Sequence, residues 1–244
     1  MKTIFSMNVN AIALLRNRRD LPWPNLLHLA RLGLQAGAEG ITVHPRPDER
    51  HIRFKDVALL GDFIKTQFPS AEFNLEGYPS AHFLELALRH AQQITLVPDT
   101  PEQKTSDHGW DFKGQFDFLL PIIERIKNSG VRVSLFANPD AEGLEYAQRL
   151  GADSVEFYTG PYALCYENQV AAVKELKKLK QAADYAQQLQ LKVHMGHDLT
   201  VDNLAPLKRE IPYLREVSIG HALTCDALEY GIEKAVQRFL AVLK

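Results

Sequence analysis

Short apolar segments alternate along the chain with longer segments in which apolar residues recur at helical spacing. The short segments are rich in Val, Ile and Leu and end in Gly, Pro, Asn or Asp, which is typical of buried strands followed by turns. They predict eight strands, at residues 3–7, 40–44, 72–76, 93–97, 131–136, 154–158, 191–195 and 217–219.

The longer segments predict one helix after each strand. Several carry their own boundary signals, because Pro24 can open the first helix and Gly130 and Gly151 can end two later ones. The basic residues 15–19, before Pro24, are predicted to form a loop. The first helix runs from Pro24 to about Gly37, and the others are predicted at residues 56–68, 79–91, 116–129, 141–150, 166–189, 202–209 and 226–243.

Eight strands that alternate with eight helices predict parallel βαβ units. Eight such units in 244 residues fit a closed (β/α)₈ TIM barrel better than an open doubly wound sheet. We therefore expect one α/β domain that spans residues 1–244.

Composition narrows the class of partner. The formal net charge is −2, which gives no reason to expect a nucleic-acid or membrane partner. The two cysteines, Cys165 and Cys225, are not arranged as a CxxC pair, so a disulfide framework or structural zinc site is not expected, and a reducing cytoplasm is the simplest location. No signal peptide, membrane-length apolar run or nucleotide-binding glycine loop is recognised.

Polar and ionisable residues follow the predicted strands, whereas the strand beginnings carry fewer of them. In a barrel of this kind the carboxyl ends of the strands meet at one rim, where active sites lie. This one-sided distribution predicts an enzyme. The residues at these ends are Asn8, Asn10, His44, Arg46, Glu76, Glu156, His197, Gly220 and His221.

Each of these residues also has a structural interpretation. The stretch 40–51, GITVHPRPDERH, could be a polar turn stiffened by its prolines. Glu76 ends an apolar strand, where an unpaired carboxylate is costly, so it should either pair with an arginine or have a raised pKa suited to acid–base work. Glu156 could equally be half of a structural ion pair, and His194 is interpreted as structural.

Two anion sites are predicted at this rim. Gly220 and His221 end strand eight and precede a helix, at the corner of the barrel where phosphates usually bind. Arg19, Arg46 and His51 could hold a second anion. Two anion sites beside His44 and Glu76 indicate two phosphorylated substrates or one bisphosphate, with carbonyl chemistry between them.

These motifs resemble the pyridoxine 5′-phosphate synthase family. The resemblance runs through the whole chain in order and with similar spacing. The matching segments are Asn8, Leu15-Arg16-Asn17, GITVHPRPDERHI at 40–52, Asn74-Leu75-Glu76, Leu96-Val97-Pro98, Gly196-His197 and SIGHAL at 218–223.

The resemblance implies a TIM barrel with extra helices, assembled as a homo-octamer built from dimers. It also implies condensation of 3-amino-2-oxopropyl phosphate with 1-deoxy-D-xylulose 5-phosphate to pyridoxine 5′-phosphate, phosphate and water, with no metal or organic cofactor. His44 and Glu76 would be the general bases or acids, His197 the proton donor, and Glu156 a stabiliser of transition-state charge.

The same resemblance assigns the substrate-binding residues. Asn8, Arg19, Asp198 through its backbone, Gly220 and His221 would hold the aminoketone phosphate. Asn10, Arg46, His51 and Thr105 would hold the deoxyxylulose phosphate. Thr105 lies in the long loop after strand four, which is a plausible lid.

Two positions depart from the family pattern. Asn10-Ala11 stand where many members have Asp-His, and Asp198 stands where glycine is common. Two other functions therefore stay open at this point. One is a non-catalytic barrel that binds a phosphorylated sugar, and the other is a metal-dependent hydrolase that uses His44, Glu76, His197 and His221.

Overall fold

A computed structural model describes residues 2–100, 103 and 105–244, and its centre is a closed barrel of eight parallel strands in sequential order. Because each strand pairs with the next along the chain and β8 closes against β1, all eight carboxyl ends meet at one rim. The strands are β1 (Ile4–Asn8), β2 (Gly40–Val43), β3 (Glu72–Gly77), β4 (Gln93–Leu96), β5 (Arg132–Ala137), β6 (Ser154–Phe157), β7 (Lys192–Met195) and β8 (Glu216–Ile219). The predicted TIM-barrel fold is confirmed.

Helices surround this barrel. Among the described residues there are eleven, three more than the alternating pattern predicts. They are α1 (Asn10–Arg16), α2 (Leu26–Gln35), α3 (Phe54–Gln67), α4 (Ala81–His90), α5 (Phe116–Asn128), α6 (Leu144–Arg149), α7 (Gly160–Leu164), α8 (Gln169–Gln188), α9 (Val201–Glu210), α10 (His221–Tyr230) and α11 (Ile232–Val242).

The three additional helices have local causes. The first helix, α1, precedes the predicted loop at 15–19 and overlaps it by two residues. Its apolar Leu14 and Leu15 are exposed, so no amphipathic pattern indicates this helix. Gly231, with φ of 80°, separates α10 from α11 where one helix was predicted, because that backbone conformation ends a helix. The third is the five-residue α7, which is too short to show a periodicity. Pro121 lies inside α5 without delaying its start.

The main apolar core lies between the barrel and the helices. Outward-facing strand residues such as Phe5, Ile41 and Leu75 are fully buried there. The ring of Phe5 stacks on that of Phe239 in α11, with 5.6 Å between the ring centroids. This layer explains why each strand reads as apolar, and burial of aliphatic and aromatic area is its main source of stability.

The inside of the barrel is polar. Ser6 and Thr42 share a hydrogen bond of 2.7 Å, and Thr95 donates to Asn74 at 3.0 Å. Gln93 of β4 donates to Glu216 of β8 across the barrel at 3.3 Å. Since side chains alternate between the two faces of a strand, this polar inner face continues upward from Asn74 to Glu76 and from Ser154 to Glu156.

No helix among the described residues has the length and apolar character needed to cross a membrane.

Candidate active site

A cavity of about 340 Å³ opens at the carboxyl ends of the strands. Residues from β1, β2, β3, β7 and β8, or from the loops that directly follow these strands and β4, form its wall. Most residues that the sequence predicted for a site at this rim therefore do lie together. These are Asn8, Asn10, His44, Arg46, His51, Glu76, Thr105, His197, Asp198, Gly220 and His221.

Glu76 lies between two imidazoles at the centre of this cavity. Its Oε1 is 3.4 Å from Nδ1 of His44 and 3.9 Å from Nε2 of His197. The side chain is almost fully buried, because it belongs to the inner face of β3. One carboxylate oxygen is therefore within 4 Å of two histidines with which protons can be exchanged.

The sequence offered two possibilities for Glu76, an arginine partner or a raised pKa, and the structure supports neither. Burial alone would raise the pKa of Glu76, but the nearby His44 and His197, with a smaller contribution from Arg46, lower it to about 2. The close partners are histidines because His44 follows the neighbouring strand β2 and His197 reaches across from β7. Glu76 is consequently ionised at neutral pH.

His197 has the opposite tendency. Burial alone would lower its pKa, but Glu156, with Oε1 3.5 Å from Nδ1, and Glu76 raise the pKa of His197 to about 9. The same burial raises the pKa of Glu156. His197 thus carries a proton at neutral pH, and Glu156 lies behind it, just outside the cavity lining.

His51 differs from both. Its Nδ1 accepts a hydrogen bond from the backbone N–H of Ile52 at 2.9 Å, so the proton of the neutral ring is on Nε2. Burial and the nearby His44 and Arg46 lower the pKa of His51 to about 3. His51 is therefore a neutral hydrogen-bond donor rather than a cation.

Two asparagines connect the ends of β1 and β2. Asn8 Oδ1 accepts from the backbone N–H of Asn10 at 2.9 Å, and Asn10 Oδ1 accepts from the backbone N–H of His44 at 2.9 Å. Because a backbone N–H can only donate, the second bond assigns the Asn10 amide orientation and leaves its NH₂ group as the donor for a ligand.

The ends of β7 and β8 approach the cavity closely with their backbones. A side chain at Gly220 would have its Cβ only 2.8 Å from Asn8 Oδ1, so this position requires glycine. Asp198 has φ of 61°, the left-handed region that favours glycine and also tolerates Asp. That conformation explains why Asp198 can stand where glycine is common. The side chain of Asp198 is exposed to solvent, and the residue lines the cavity, so its backbone N–H is available to a ligand there.

Arg19 is the predicted residue that neither lines this cavity nor contacts one of its histidines, whereas Glu156 lies outside the lining but beside His197. Arg19 follows α1, its side chain is exposed, and it is not part of the lining. Its predicted role stays a prediction.

Two buried residues of the site were missed by the sequence reading. Asp99 pairs with the Arg46 guanidinium, and Ser106 donates to Asp99 at 2.8 Å. The available signal was the position of Asp99, three residues after the end of β4. That signal is weak, because Asp99 begins a long polar loop in which acidic residues are common and have no special role.

The histidines and acids of the cavity do not form a recognisable metal centre. Within residues 2–100, 103 and 105–244, no three His, Cys, Asp or Glu side chains are grouped in a way that could hold a metal ion. The grouping that the hydrolase hypothesis requires is thus not found in the described part of the chain.

Together, the barrel and the buried carboxylate–histidine cluster at its carboxyl rim indicate an enzyme of the TIM-barrel class. The family model described as "Pyridoxal phosphate biosynthesis protein PdxJ" matches residues 5–244. The chain belongs to this family, and the resemblance recognised in the sequence is confirmed.

Curated relatives extend over the full chain. Pyridoxine 5′-phosphate synthase of Brucella anthropi is 56% identical over 244 residues, which cover 100% of both chains. Pyridoxine 5′-phosphate synthase of Brucella suis is also 56% identical over 244 residues, covering 100% of this chain and 99% of the relative.

Solved structures support the fold alone, because their sequence identities are low. Tryptophan synthase from M. tuberculosis superposes with a TM-score of 0.65 at 13% identity, covering 100% of this chain and 93% of the other. Phosphoribosyl anthranilate isomerase from Thermococcus kodakaraensis superposes with a TM-score of 0.58 at 14% identity, covering 100% and 99%.

Proposed function

We propose that this enzyme is a pyridoxine 5′-phosphate synthase, which joins 3-amino-2-oxopropyl phosphate to 1-deoxy-D-xylulose 5-phosphate and releases phosphate and water. Membership of the family and 56% identity to relatives of that name support the activity. The structural observation that carries the proposal is the buried Glu76 carboxylate between the His44 and His197 imidazoles.

The opening step illustrates how these groups would act. The amine nitrogen attacks the ketone carbon of the pentose phosphate, a C–N bond forms, and the carbonyl oxygen takes a proton from His197. The nitrogen gives up two protons, one to His44 and one to Glu76. His44 passes its proton on to the oxygen, which leaves as water, and Glu76 returns its proton to His197, whose Nε2 is 3.9 Å from Glu76 Oε1. Glu156, beside His197, offsets the positive charge of the donor.

Later steps need the same base and acid in turn. Ring closure requires removal of a proton from carbon next to a carbonyl or imine, followed by loss of a hydroxyl group as water. Glu76, which is buried within reach of His44 and His197 at the cavity, would take the proton in the first task. His197, protonated because its pKa is raised to about 9, suits the second.

Two groups of residues would bind the two phosphates. We assign the aminoketone phosphate to Asn8, the backbone of Asp198, Gly220 and His221, because α10 begins at His221 and a helix N-terminus favours an anion. Arg19 is retained as a predicted member of this group. We assign the pentose phosphate to Asn10, Arg46, His51 and Thr105.

A homo-octamer built from dimers and a cytoplasmic location complete the proposal. Exposed apolar side chains support association, since Trp23 is 61% and Leu164 is 91% exposed in the isolated chain. The two free cysteines, Cys165 and Cys225, fit a reducing compartment. Sedimentation of the purified protein would test the assembly, and a stable monomer at micromolar concentration would contradict it.

The decisive experiment mixes both substrates with purified enzyme and follows phosphate release together with pyridoxine fluorescence. Each substrate alone is the control, because condensation requires both. Binding of a substrate without turnover anywhere between about pH 6 and 9, where such acid–base groups should act, would favour the non-catalytic sugar-phosphate-binding barrel instead.

A further inference from the structure

Asp99 is a buried carboxylate to which none of the assignments above gives a role. It lies just beyond β4, and its side chain is 4% exposed. Its Oδ2 accepts hydrogen bonds from Nη2 of Arg46 and from the hydroxyl of Ser106, and it lies 3.9 Å from Nε2 of His44. One oxygen atom thus connects the end of β2 with the loop after β4.

Arg46 depends on this carboxylate for its position. Its guanidinium is 4% exposed and forms part of the wall between the active-site cavity and a neighbouring cavity of about 440 Å³. The far side of that wall is largely apolar, with Phe54, Tyr78 and Phe83 among its residues. A buried cation in such surroundings is stable only beside a counter-charge, which Asp99 supplies.

Ser106 is oriented by the same carboxylate. A hydroxyl has one proton, and the Ser106 oxygen is 2.8 Å from Asp99 Oδ2 but 3.3 Å from Glu76 Oε1. The shorter bond favours donation of this proton to Asp99, and the longer contact with Glu76 is the weaker of the two. Thr105, the preceding residue, lines the active-site cavity, so this bond also holds a predicted phosphate ligand in place.

We propose that Asp99 is the positioning residue of the pentose-phosphate subsite, holding the Arg46 guanidinium and the Ser106–Thr105 backbone so that both face one phosphate. This inference rests on the proposed function, because it concerns how one of the two substrates is bound. Preorganised donors bind an anion more tightly than donors that must first be ordered.

A positioning role for Asp99 and a purely electrostatic role predict opposite changes in phosphate affinity when the Asp99 charge is removed. Removal of a negative charge beside an anion site should tighten anion binding if Asp99 only repels the phosphate or competes for Arg46. If Asp99 positions Arg46 and Thr105, its loss should weaken binding although the repulsion has gone.

The test measures binding of 1-deoxy-D-xylulose 5-phosphate by calorimetry and steady-state kinetics with both substrates. We expect Asp99→Asn to raise the Kd and KM for the pentose phosphate at least about tenfold, while the KM for the aminoketone phosphate changes less than about twofold. Asp99→Glu keeps the charge and should recover most of the lost affinity. Ser106→Ala, which leaves the Arg46 pair intact, should have a smaller effect and provides a second variant if Asp99→Asn folds poorly.

Asp48→Asn is the matched control. Asp48 borders the same neighbouring cavity and pairs with Arg50 at 2.7 Å, but its side chain is 47% exposed. The control removes the same charge and should leave the affinity within about twofold.

Unchanged or tighter binding in Asp99→Asn, or equal losses for both substrates, would overturn the inference. Calorimetry needs no turnover. An inactive wild-type enzyme that still binds the pentose phosphate would therefore contradict the proposed function, while the Kd values of the Asp99 variants would still support or overturn the role of Asp99. A wild-type enzyme that binds no pentose phosphate would end both.

Discussion

The two ends of the barrel both carry acids, but the acids have different partners. At the amino end, Glu72 pairs with Arg132, Asp153 with Lys127 at 2.5 Å, and Glu39 with Lys2 at 2.9 Å. At the carboxyl end, Glu76 and Glu156 lie beside His44 and His197. Lys and Arg stay protonated at physiological pH, whereas His can gain or lose a proton there. The grouping of two acids with two histidines around one cavity, rather than the amount of charge, therefore distinguishes the reactive end. Single pairs of the other type occur at each end, since Asp99 pairs with Arg46 at the carboxyl end and Glu216 lies 3.8 Å from His194 at the amino end.

The beginnings of the strands were expected to carry few polar and ionisable residues, but several acids lie there. The three amino-end pairs with Lys or Arg have partly exposed members, such as Lys2 at 75% and Arg132 at 37% of the side chain. Glu76 and Glu156 are at most 5% exposed. Exposed pairs are screened by water and contribute little, while the buried groups at the other end shift one another's pKa values strongly.

The largest expected effect comes from two glutamates on the same face of β3. Glu76→Gln should lower kcat at least about a hundredfold, because it removes the base between the two histidines. Glu72→Gln, four residues earlier, should change kcat less than about threefold, because it touches no reacting group. Steady-state kinetics on both variants, with circular dichroism to check folding, make the comparison. Full activity in Glu76→Gln would show that the carboxyl-end cluster is structural.

The next effect concerns pH. With the His197 pKa raised to about 9, the proton donor stays charged below that pH, and activity should fall as pH rises through about 9. Glu156→Gln removes the acid that raises this pKa, so the alkaline fall should move to lower pH. Asp153→Asn, one residue before the same strand, should leave the alkaline fall in place. A pH–rate profile that is identical in the wild type and Glu156→Gln would refute the link between Glu156 and His197.

The smallest effects are on stability. Glu72→Gln should lower the free energy of unfolding by about 1 kcal/mol, because its partner Arg132 is partly solvated. Lys2→Met should change it by less than about 0.5 kcal/mol, since Lys2 is largely exposed. Urea denaturation at low and high salt measures both. A loss of several kcal/mol in either variant would mean that the amino-end pairs are not the weak, screened contacts described above.

Prediction from sequence worked best where the signal is local. The alternation of apolar segments with helical segments led to the barrel, and polar residues such as His44, Glu76 and His197 were recognised because they directly follow strands. It failed where the signal is weak or distant. The helix α1 lacks an amphipathic face, so periodicity does not predict it. Asp99 is an ordinary acid in a polar loop by sequence, and only the structure shows that it pairs with Arg46.

The sequence by itself determined the order of elements, the closed barrel and the rim on which the reactive residues lie. These features follow from hydrophobic periodicity and from the residues that end each strand, which are signals between residues close together in the chain. Only the tertiary structure decided that Glu76 stands between two imidazoles, that its pKa falls while that of His197 rises, and that Asp99 holds Arg46. These properties depend on distances of a few ångströms between residues 32 to 121 positions apart in the chain. Burial and electrostatic coupling at such distances arise only once the strands have closed into a barrel.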